Sequence, residues 1–328
     1  MVNSATPSRA VLLAAIFPVL AIMVGLQANP QSGQAMSVLL AVLVYFVTMI
    51  AYYAMGRLAT AQHTHLLWST AAVALVMAFM LTGVGDTWPV LMGLSAVLAG
   101  GVIGGRLIAL GWHPRKVYTW SVLAVVALTV IQLAPLWSAV QLYSGELIEE
   151  TLQQFRQTAA LWTTNSAEIE EAAGSYSRVM KVFIHLLPAM TVLSGVLQFT
   201  VGYLLLTRYV ARSWPHLSIQ MAFVRWRMPF ALTPLVVAAV GARLTGHESA
   251  MMVADNVLVL LAVFYAACGM ALIETYLRRL AIPKALKAIF WVLLALTHLI
   301  GFFVTGLLGF IDSFFDFRRR AAAAAEAP

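Results

Sequence analysis

The sequence predicts an all-α protein, a polytopic bundle of about eight or nine transmembrane helices with a cytoplasmic N-terminus. Apolar residues make up 62% of the chain and charged residues 10%, whereas soluble domains contain about 45–50% and about 25%. Runs of roughly 18 or more nearly uncharged residues recur, and each can cross about 30 Å of hydrocarbon as a helix. Lys and Arg cluster in the short loops between these runs, so the net charge of +7 reflects membrane topology and not nucleic-acid binding.

The apolar runs predict nine candidate spans. The first follows Arg9 and contains Pro18; because it is long and leads into further spans, we interpret it as a membrane helix and not a cleaved signal. With the N-terminus inside, basic loop residues such as Arg115, Lys116 and Lys284 lie on the cytoplasmic side. The spans are residues 10–27, 36–56, 66–82, 88–111, 117–137, 181–206, 228–243, 252–277 and 288–311.

The arginines near the C-terminus conflict with nine full crossings. Nine crossings place residues 318–320 outside, against the positive-inside tendency. Residues 288–317 could instead fold as two short half-spans, or the segment that contains Pro229 and Pro234 could fail to cross. Both alternatives are compatible with the sequence.

One long polar connection divides the chain into two membrane halves. Residues 138–180 contain six acidic and two basic residues, so we expect them outside the cytoplasm. They separate a five-span half, 1–137, from a second half, 181–320, and residues 321–328 form a low-complexity tail that we expect to be disordered. Apolar residues at helical spacing predict an amphipathic helix that lies along the interface or caps a cavity: Ile148, Leu152, Phe155, Ala159 and Trp162.

Small residues in the fourth span predict close helix packing. Gly100 pairs with Gly104, and Gly101 with Gly105, at a spacing of four residues that lets another helix approach the backbone. We interpret this face as packing within the chain, with a contact between two copies in a homo-oligomer as the alternative.

Few ionisable residues lie at membrane depth, where they are costly and therefore indicate function. His185 and His298 are predicted one or two turns inside their spans, either as neutral imidazoles bonded to a neighbouring helix or as ligand contacts. Asp255 and Glu274 lie near the two ends of one span, and we expect Glu274 to pair with Arg278.

A pocket open to the outside is the predicted place for a substrate. Asp86 and Trp88 lie in a predicted outer turn between the third and fourth spans, and Tyr143 lies in the acidic connection. An ordinary turn with an interfacial tryptophan is the alternative. The candidate substrate-binding residues are Asp86, Trp88, Tyr143, His185 and His298.

The sequence contains no recognisable catalytic or metal-binding pattern. Cys268 is the only cysteine, so neither an intrachain disulfide nor a thiolate cluster can form. No second histidine occurs at metal-binding spacing on the same helix, and no HExxH, Walker loop or Ser/His/Asp set is found. We therefore expect no enzymatic activity, no metal and no cofactor.

The segment "GFIDSFFDFRRR", residues 309–320, is predicted to anchor the last helix at the membrane interface. On a helix, its phenylalanines share one face, its aspartates share another, and its arginines reach headgroup phosphates. We expect Asp316 to pair with Arg320 or with a residue of another span. The aromatic face is Phe310, Phe314 and Phe317, and the anchor is defined by Asp312, Phe314, Asp316 and Arg318.

Three motifs carry a resemblance to a known family. "LLGFIDSFFDFRRR", "VRWRMPFAL" and a glycine-rich fourth span running into "GWHPRK" resemble the YybS-like family of bacterial multi-pass membrane proteins of unknown function. The N-terminal half is similar to the S components of energy-coupling-factor transporters. In those transporters, a six-helix subunit binds a vitamin or metal from outside. An Ala-xxx-Ala motif, which Ala10 and Ala14 match, contacts a coupling subunit driven by two ATPases.

Two functions follow as expectations for a protein of the bacterial inner membrane. The first is a substrate-binding subunit of an energy-coupling-factor-like importer of small molecules. The alternative is a non-transporting scaffold or regulator that assembles with other membrane or envelope proteins through the glycine-rich face and the C-terminal anchor. Membrane lipids are expected partners in either case.

Overall fold

The computed structural model describes residues 7–27, 34–162, 165–213, 226–280 and 282–318. In these residues the regular elements are helices, with no strand, which confirms the all-α prediction. In chain order they are α1 Pro7–Gln27, α2 Gln34–Thr60, α3 Thr64–Ala109, α4 Pro114–Ala159, α5 Ser166–Ser213, a 3₁₀ turn Phe230–Leu232, α6 Thr233–Leu244, α7 Glu248–Arg279, α8 Lys284–Leu296 and α9 His298–Phe315.

Five helices in the described residues are long and apolar enough to cross a membrane, so the chain is membrane-embedded. These helices are Ala41–Thr60, Pro114–Ala134, Ser166–Ser213, Glu248–Arg279 and His298–Phe315.

The chain divides into two compact units. Unit 1 comprises Met1–Lys181 and Met190–Gln220, and unit 2 comprises Val182–Ala189 and Met221–Pro328. Helix α5 therefore contributes one short internal stretch to unit 2 and the rest of its length to unit 1.

The core of unit 1 is built on the glycine face of α3. A Cβ at Gly105 would overlap the carbonyl oxygen of Gly56 on α2, and one at Gly101 would lie 2.7 Å from the Cβ of Met55. Beside this contact, the rings of Tyr52 and Phe199 pack edge to face with centroids 5.4 Å apart. The glycines are needed because the backbones of α2 and α3 approach too closely for side chains.

Helix α3 reverses its direction between its two ends. Thr60, just before the start of α3, donates a hydrogen bond from Oγ1 to the carbonyl oxygen of Gly105 near its end, at 3.2 Å. A straight helix from Thr64 to Gly105 would be about 62 Å long and could not return to the same place. The reversal agrees with two separate spans in this region. The backbone nevertheless stays helical through residues 81–93, which include the outer turn that we predicted between the third and fourth spans. Glycine and proline in this stretch allow a helix to bend.

Helices α4 and α5 form a long antiparallel hairpin. At one end Tyr118 and Thr200 share a hydrogen bond of 2.8 Å, and at the other Arg156 and Glu170 form a salt bridge of 3.0 Å. The candidate membrane span of α4 begins at Pro114 and includes Ala134, and the first charged residue after it is Glu146. From Glu146 to Ala159, α4 continues for about 20 Å. We call this part the arm: residues 135–159, the connection that follows, and residues 166–181 of α5.

The arm contains the segment for which we predicted an amphipathic helix along the interface or over a cavity. The segment is helical, as expected, and belongs to α4 up to Ala159. Its apolar face is covered by α5, so that face is not free to lie on the membrane. Its apolar residues pack against α5, as the stacked rings of Phe155 and Tyr176 show, with centroids 5.0 Å apart.

Unit 2 is arranged around α7. Thr305 of α9 packs against Gly269, and Gly309 packs against Tyr265, so α9 runs antiparallel to α7. Helix α6 is antiparallel to α7 as well. Arg243 near its end contacts Asp255, and Thr233 at its start lies beside Tyr265 in the middle of α7.

Two alternatives were open for the C-terminal spans: a divided last span, or a segment with Pro229 and Pro234 that does not cross. Unit 2 contains features of both. The predicted last span is broken at Thr297 into α8 and α9, and the bend is sharp enough that a Cβ at Gly301 would meet the carbonyl oxygen of Leu294. The segment with Pro229 and Pro234 contains only the 12-residue helix α6. A helix of that length is about 18 Å long, short of the 30 Å that a crossing requires.

Candidate functional site

The predicted substrate-binding residues belong to different units. Tyr143 is exposed on α4 in unit 1, whereas His185 and His298 belong to unit 2. Asp86 and Trp88 lie in α3, and their side chains fall outside the described part of the chain. His298 is not inside a span, as predicted, but is the exposed first residue of α9, because the chain breaks at Thr297.

An open groove of about 450 Å³ lies between α3 and α4 in unit 1. None of the predicted substrate-binding residues line it. Sites for polar ligands need a few convergent polar groups, which this groove lacks, so its surface suits acyl chains. The lining residues are Ile103, Leu107, Trp112, Trp120, Leu123 and Ala124.

The predicted small-residue contacts lie inside unit 1. Ala10 and Ala14 on α1 are only 2% and 4% exposed. The glycine face of α3 contacts α2, α4 and α5 of the same chain. The contacts are Gly100 with Val125, Tyr52 and Phe199, Gly101 with Met55, Gly104 with Ser121, and Gly105 with Gly56 and Ala59.

In unit 2, a polar side chain replaces a backbone hydrogen bond that is missing within α5; we call this position the break in α5. Pro188 has no N–H and disrupts the helical hydrogen bonds around it. The side-chain amide of Asn256 occupies the opened turn: Ala189 N donates to its Oδ1, and its Nδ2 donates to the carbonyl oxygen of His185, both at 2.8 Å. Asn256 thus stands in for the direct backbone bond from Ala189 to His185, as membrane depth requires.

Charged residues surround this break. His185 Nε2 lies 3.0 Å from Asp255 Oδ2, and Arg243 forms an ion pair with Asp255 Oδ1. His185 is therefore bonded to a neighbouring helix, which was one of its two predicted roles. Its partner there is the carboxylate of Asp255. At the other end of α7, Glu274 and Arg278 form the predicted ion pair at 2.6 Å.

A second polar cluster lies near the middle of α7. Helix α7 is about 48 Å long, so its central stretch crosses the hydrocarbon and its ends extend beyond it. Helix α6 begins beside Tyr265 in this central stretch, and the chain after α9 returns to Cys268. Non-helical backbone at this depth is tolerated only where protein or water surrounds it.

Two arginine–aspartate pairs form this cluster, which we call the polar centre: Arg227, Asp312, Asp316 and Arg318. Arg227 Nη1 lies 2.6 Å from Asp316 Oδ2, and Arg318 Nη2 lies 3.4 Å from Asp312 Oδ2. Arg318 also donates a 3.0 Å hydrogen bond to the carbonyl oxygen of Cys268. Asp312 is fully buried, so its charge depends on these neighbours.

The polar centre corrects the predicted interfacial anchor. Helix α9 ends at Phe315 because Asp316 adopts a left-handed conformation, with φ 47° and ψ 56°. The chain then folds back, so Arg318 turns toward Asp312 and not toward lipid headgroups, and Phe317 stacks on Phe315. Residues 319 and 320 lie outside the described part of the chain.

Other parts of the C-terminal prediction agree with the geometry. Phe310 and Phe314 share a face and pack edge to face with centroids 5.0 Å apart. Phe314 also meets Phe230 just before α6, at 5.2 Å. Asp316 pairs with a residue from another segment of the chain, Arg227, which was one of the two expected kinds of partner.

Sequence reasoning missed Arg227, Arg243 and Asn256. Asn256 had a local signal, since it is a polar residue beside Asp255 in an apolar run that must face protein. The two arginines had none, because each meets an aspartate that is distant in sequence.

These helices and their buried charges define an integral membrane protein. The chain belongs to the family described as predicted membrane protein (DUF2232), whose model matches residues 35–313. That match includes the arm and two of the four residues of the polar centre, Arg227 and Asp312. No curated protein and no solved structure matches the chain.

Proposed function

We propose that this protein is a non-transporting membrane scaffold or regulator that assembles with other membrane or envelope proteins. The arm is the observation that carries the proposal. It is a paired helical hairpin in which α4 continues for about 20 Å past Glu146, the first charged residue after its apolar stretch, and most of its charged side chains are acidic and exposed. A stiff polar extension of that length brings contact residues to proteins outside the bilayer.

The remaining geometry supports assembly through the arm. The glycine face of α3 and the C-terminal anchor, through which the scaffold alternative expected assembly, pack within their own units. The described groove is apolar, and none of the predicted substrate-binding residues lines it. The arm is therefore the best described surface for a partner.

A shortened arm tests this function. Removing residues 146–152 and 174–180 deletes two whole turns from each paired helix, shortens the arm by about 10 Å and preserves the helical phase. We expect the full-length chain, captured from native membranes, to bring down envelope or membrane proteins that the shortened chain loses. Thermal unfolding of the two proteins should show that the membrane part remains folded. Recovery of energy-coupling ATPases, or of identical partners with both chains, would contradict the proposal.

A second candidate is the substrate-binding subunit of an energy-coupling-factor-like importer. The polar centre favours it, because two helices begin or end at the level of charged residues within the membrane. Transporters form solute and ion sites from interrupted helices of this kind. The solute would then bind in unit 2 and not in a pocket of the early spans.

A ligand screen separates the two candidates. The importer predicts that a vitamin or metal ion raises the unfolding temperature of the purified chain. The increase should disappear in Asp316→Asn and persist in Glu274→Gln, which alters an ion pair at the end of α7. If no compound in the panel stabilises the wild-type chain, the importer hypothesis fails.

A further inference from the structure

The end of the arm presents two large apolar side chains to solvent. Leu161 and Trp162 follow the last turn of α4 and are 83% and 86% exposed. Leu161 lies about 22 Å along the chain past Glu146, the first charged residue after the apolar stretch of α4. The headgroup layer, where membrane tryptophans normally reside, extends only about 5–8 Å past the hydrocarbon. These residues therefore face the aqueous space.

Side-chain contacts join the two helices behind the tip. The Arg156 guanidinium donates from Nε and Nη2 to both carboxylate oxygens of Glu170, at 3.0 and 3.2 Å. Ala173 is 1% exposed, and the Phe155 and Tyr176 rings stack at an angle of 10°. The tip therefore follows a paired helix and not an isolated one.

The charge around the tip is negative. Residues 138–180 contain six acidic residues and two basic residues, and one of those basic residues, Arg156, is paired with Glu170. Glu168 and Glu171 are exposed in the first turns of α5. Complementary charge accelerates association and excludes partners of the same sign. The tip is therefore suited to a basic surface.

We propose that Leu161 and Trp162 dock into an apolar pocket with a basic rim on a partner protein outside the membrane. The inference rests on the proposed scaffold function and names the chemistry of the partner. Tryptophan is the side chain most often found at the energetic centre of protein interfaces. A second copy of this chain is disfavoured because two acidic arms repel, and the bilayer is disfavoured by distance.

Site-specific photo-crosslinking tests the tip in the full-length chain. A benzophenone amino acid replaces Ala160, the exposed residue beside Leu161, and native membranes are irradiated. We expect one protein adduct, linked through a peptide rich in Lys or Arg. Its yield should fall at least about tenfold in the double variant Leu161→Ser with Trp162→Ser, as for an interface hot spot.

The matched control is Leu142→Ser with Tyr143→Ser, a second exposed apolar–aromatic pair at the membrane end of the arm. It should leave the yield unchanged. Raising the salt from about 0.1 M to about 1 M should reduce the yield, since the screening length falls from about 10 Å to about 3 Å. An adduct with lipid or with a second copy, no adduct at all, or equal yields from the tip and control variants would overturn the proposal.

Failure of the tip proposal can be distinguished from failure of the scaffold function. If the shortened arm loses its partners but the tip variant keeps them, the partner binds the sides of the arm. The scaffold function then stands and the role of Leu161 and Trp162 is refuted. If neither change affects capture, both proposals fail.

Discussion

The two units place their polar groups in opposite ways. Unit 1 keeps an apolar core with an aromatic cluster and a glycine face, and six of its acidic residues lie in the arm. Unit 2 instead holds ion pairs among its helices, both at the polar centre and around the break in α5. We therefore expect unit 2 to be sensitive to the loss of a single charge, and unit 1 to an increase in side-chain volume.

The largest effect should come from removing one buried charge in unit 2. Arg318→Met leaves Asp312 fully buried without its nearest cation, so the free energy of unfolding should fall by about 3–5 kcal/mol. Reversible unfolding in mixed micelles measures the change. The double variant Arg318→Met with Asp312→Asn should recover most of the loss, because it removes both charges.

A more exposed ion pair on the same unit provides the control. Arg278 is 59% exposed and Glu274 is 16% exposed, so Arg278→Met should lower the free energy of unfolding by about 1 kcal/mol or less. If Arg278→Met destabilises unit 2 as much as Arg318→Met does, burial of charge is not what distinguishes the two units.

Unit 1 should respond to volume next. Gly105→Ala adds a Cβ that overlaps the Gly56 carbonyl oxygen, and backbone cannot rotate away, so the free energy of unfolding should fall by about 1–3 kcal/mol. Gly241→Ala on α6 is the matched control, since its Cβ meets nothing within 4 Å. Thermal unfolding should show no loss for this variant. Equal loss at both positions would mean that helix contact is not the cause.

A third effect concerns the break in α5. Asn256→Ala leaves the Ala189 N–H and the His185 carbonyl oxygen without their partner, so we expect a loss of about 1–2 kcal/mol. Pro188→Ala should rescue that variant, because a regular helix can then form the direct bond from Ala189 to His185. The rescue is measured as a double-mutant cycle, and additive losses would refute the bridging role of Asn256.

Local sequence patterns accounted for the elements whose contacts are local. Apolar runs marked the helices, the spacing of Glu274 and Arg278 marked an i, i+4 pair, and the glycines of α3 marked a close contact within the chain. In each case the residues that interact are near neighbours or lie on one face of one helix, so periodicity contains the information.

The features that sequence did not reveal depend on long-range contacts or on a single backbone angle. Helical spacing of the phenylalanines gave no sign that α9 ends at Asp316 in a left-handed turn. Arg227 meets Asp316 across most of unit 2, and no local pattern predicts that pairing. The packing of the amphipathic segment on α5 was missed because an amphipathic helix has the same period whether its apolar face meets a membrane or another helix.

The smallest expected effect is in the arm, where charges are hydrated. Arg156→Gln removes a salt bridge whose side chains are 40% and 63% exposed, so the arm should lose about 0.2–1 kcal/mol. Amide hydrogen exchange of residues 150–176 in lipid nanodiscs should accelerate by no more than about fivefold, and the difference should shrink at about 1 M salt because exposed charges are screened. Arg178→Gln, which loses a bond to Ser175 on its own helix, is the control and should leave exchange near the tip unchanged.

One outcome would contradict the contrast between the two units. Faster exchange in α7 of the Arg156→Gln variant would show that the arm is not independent of the charged helices of unit 2.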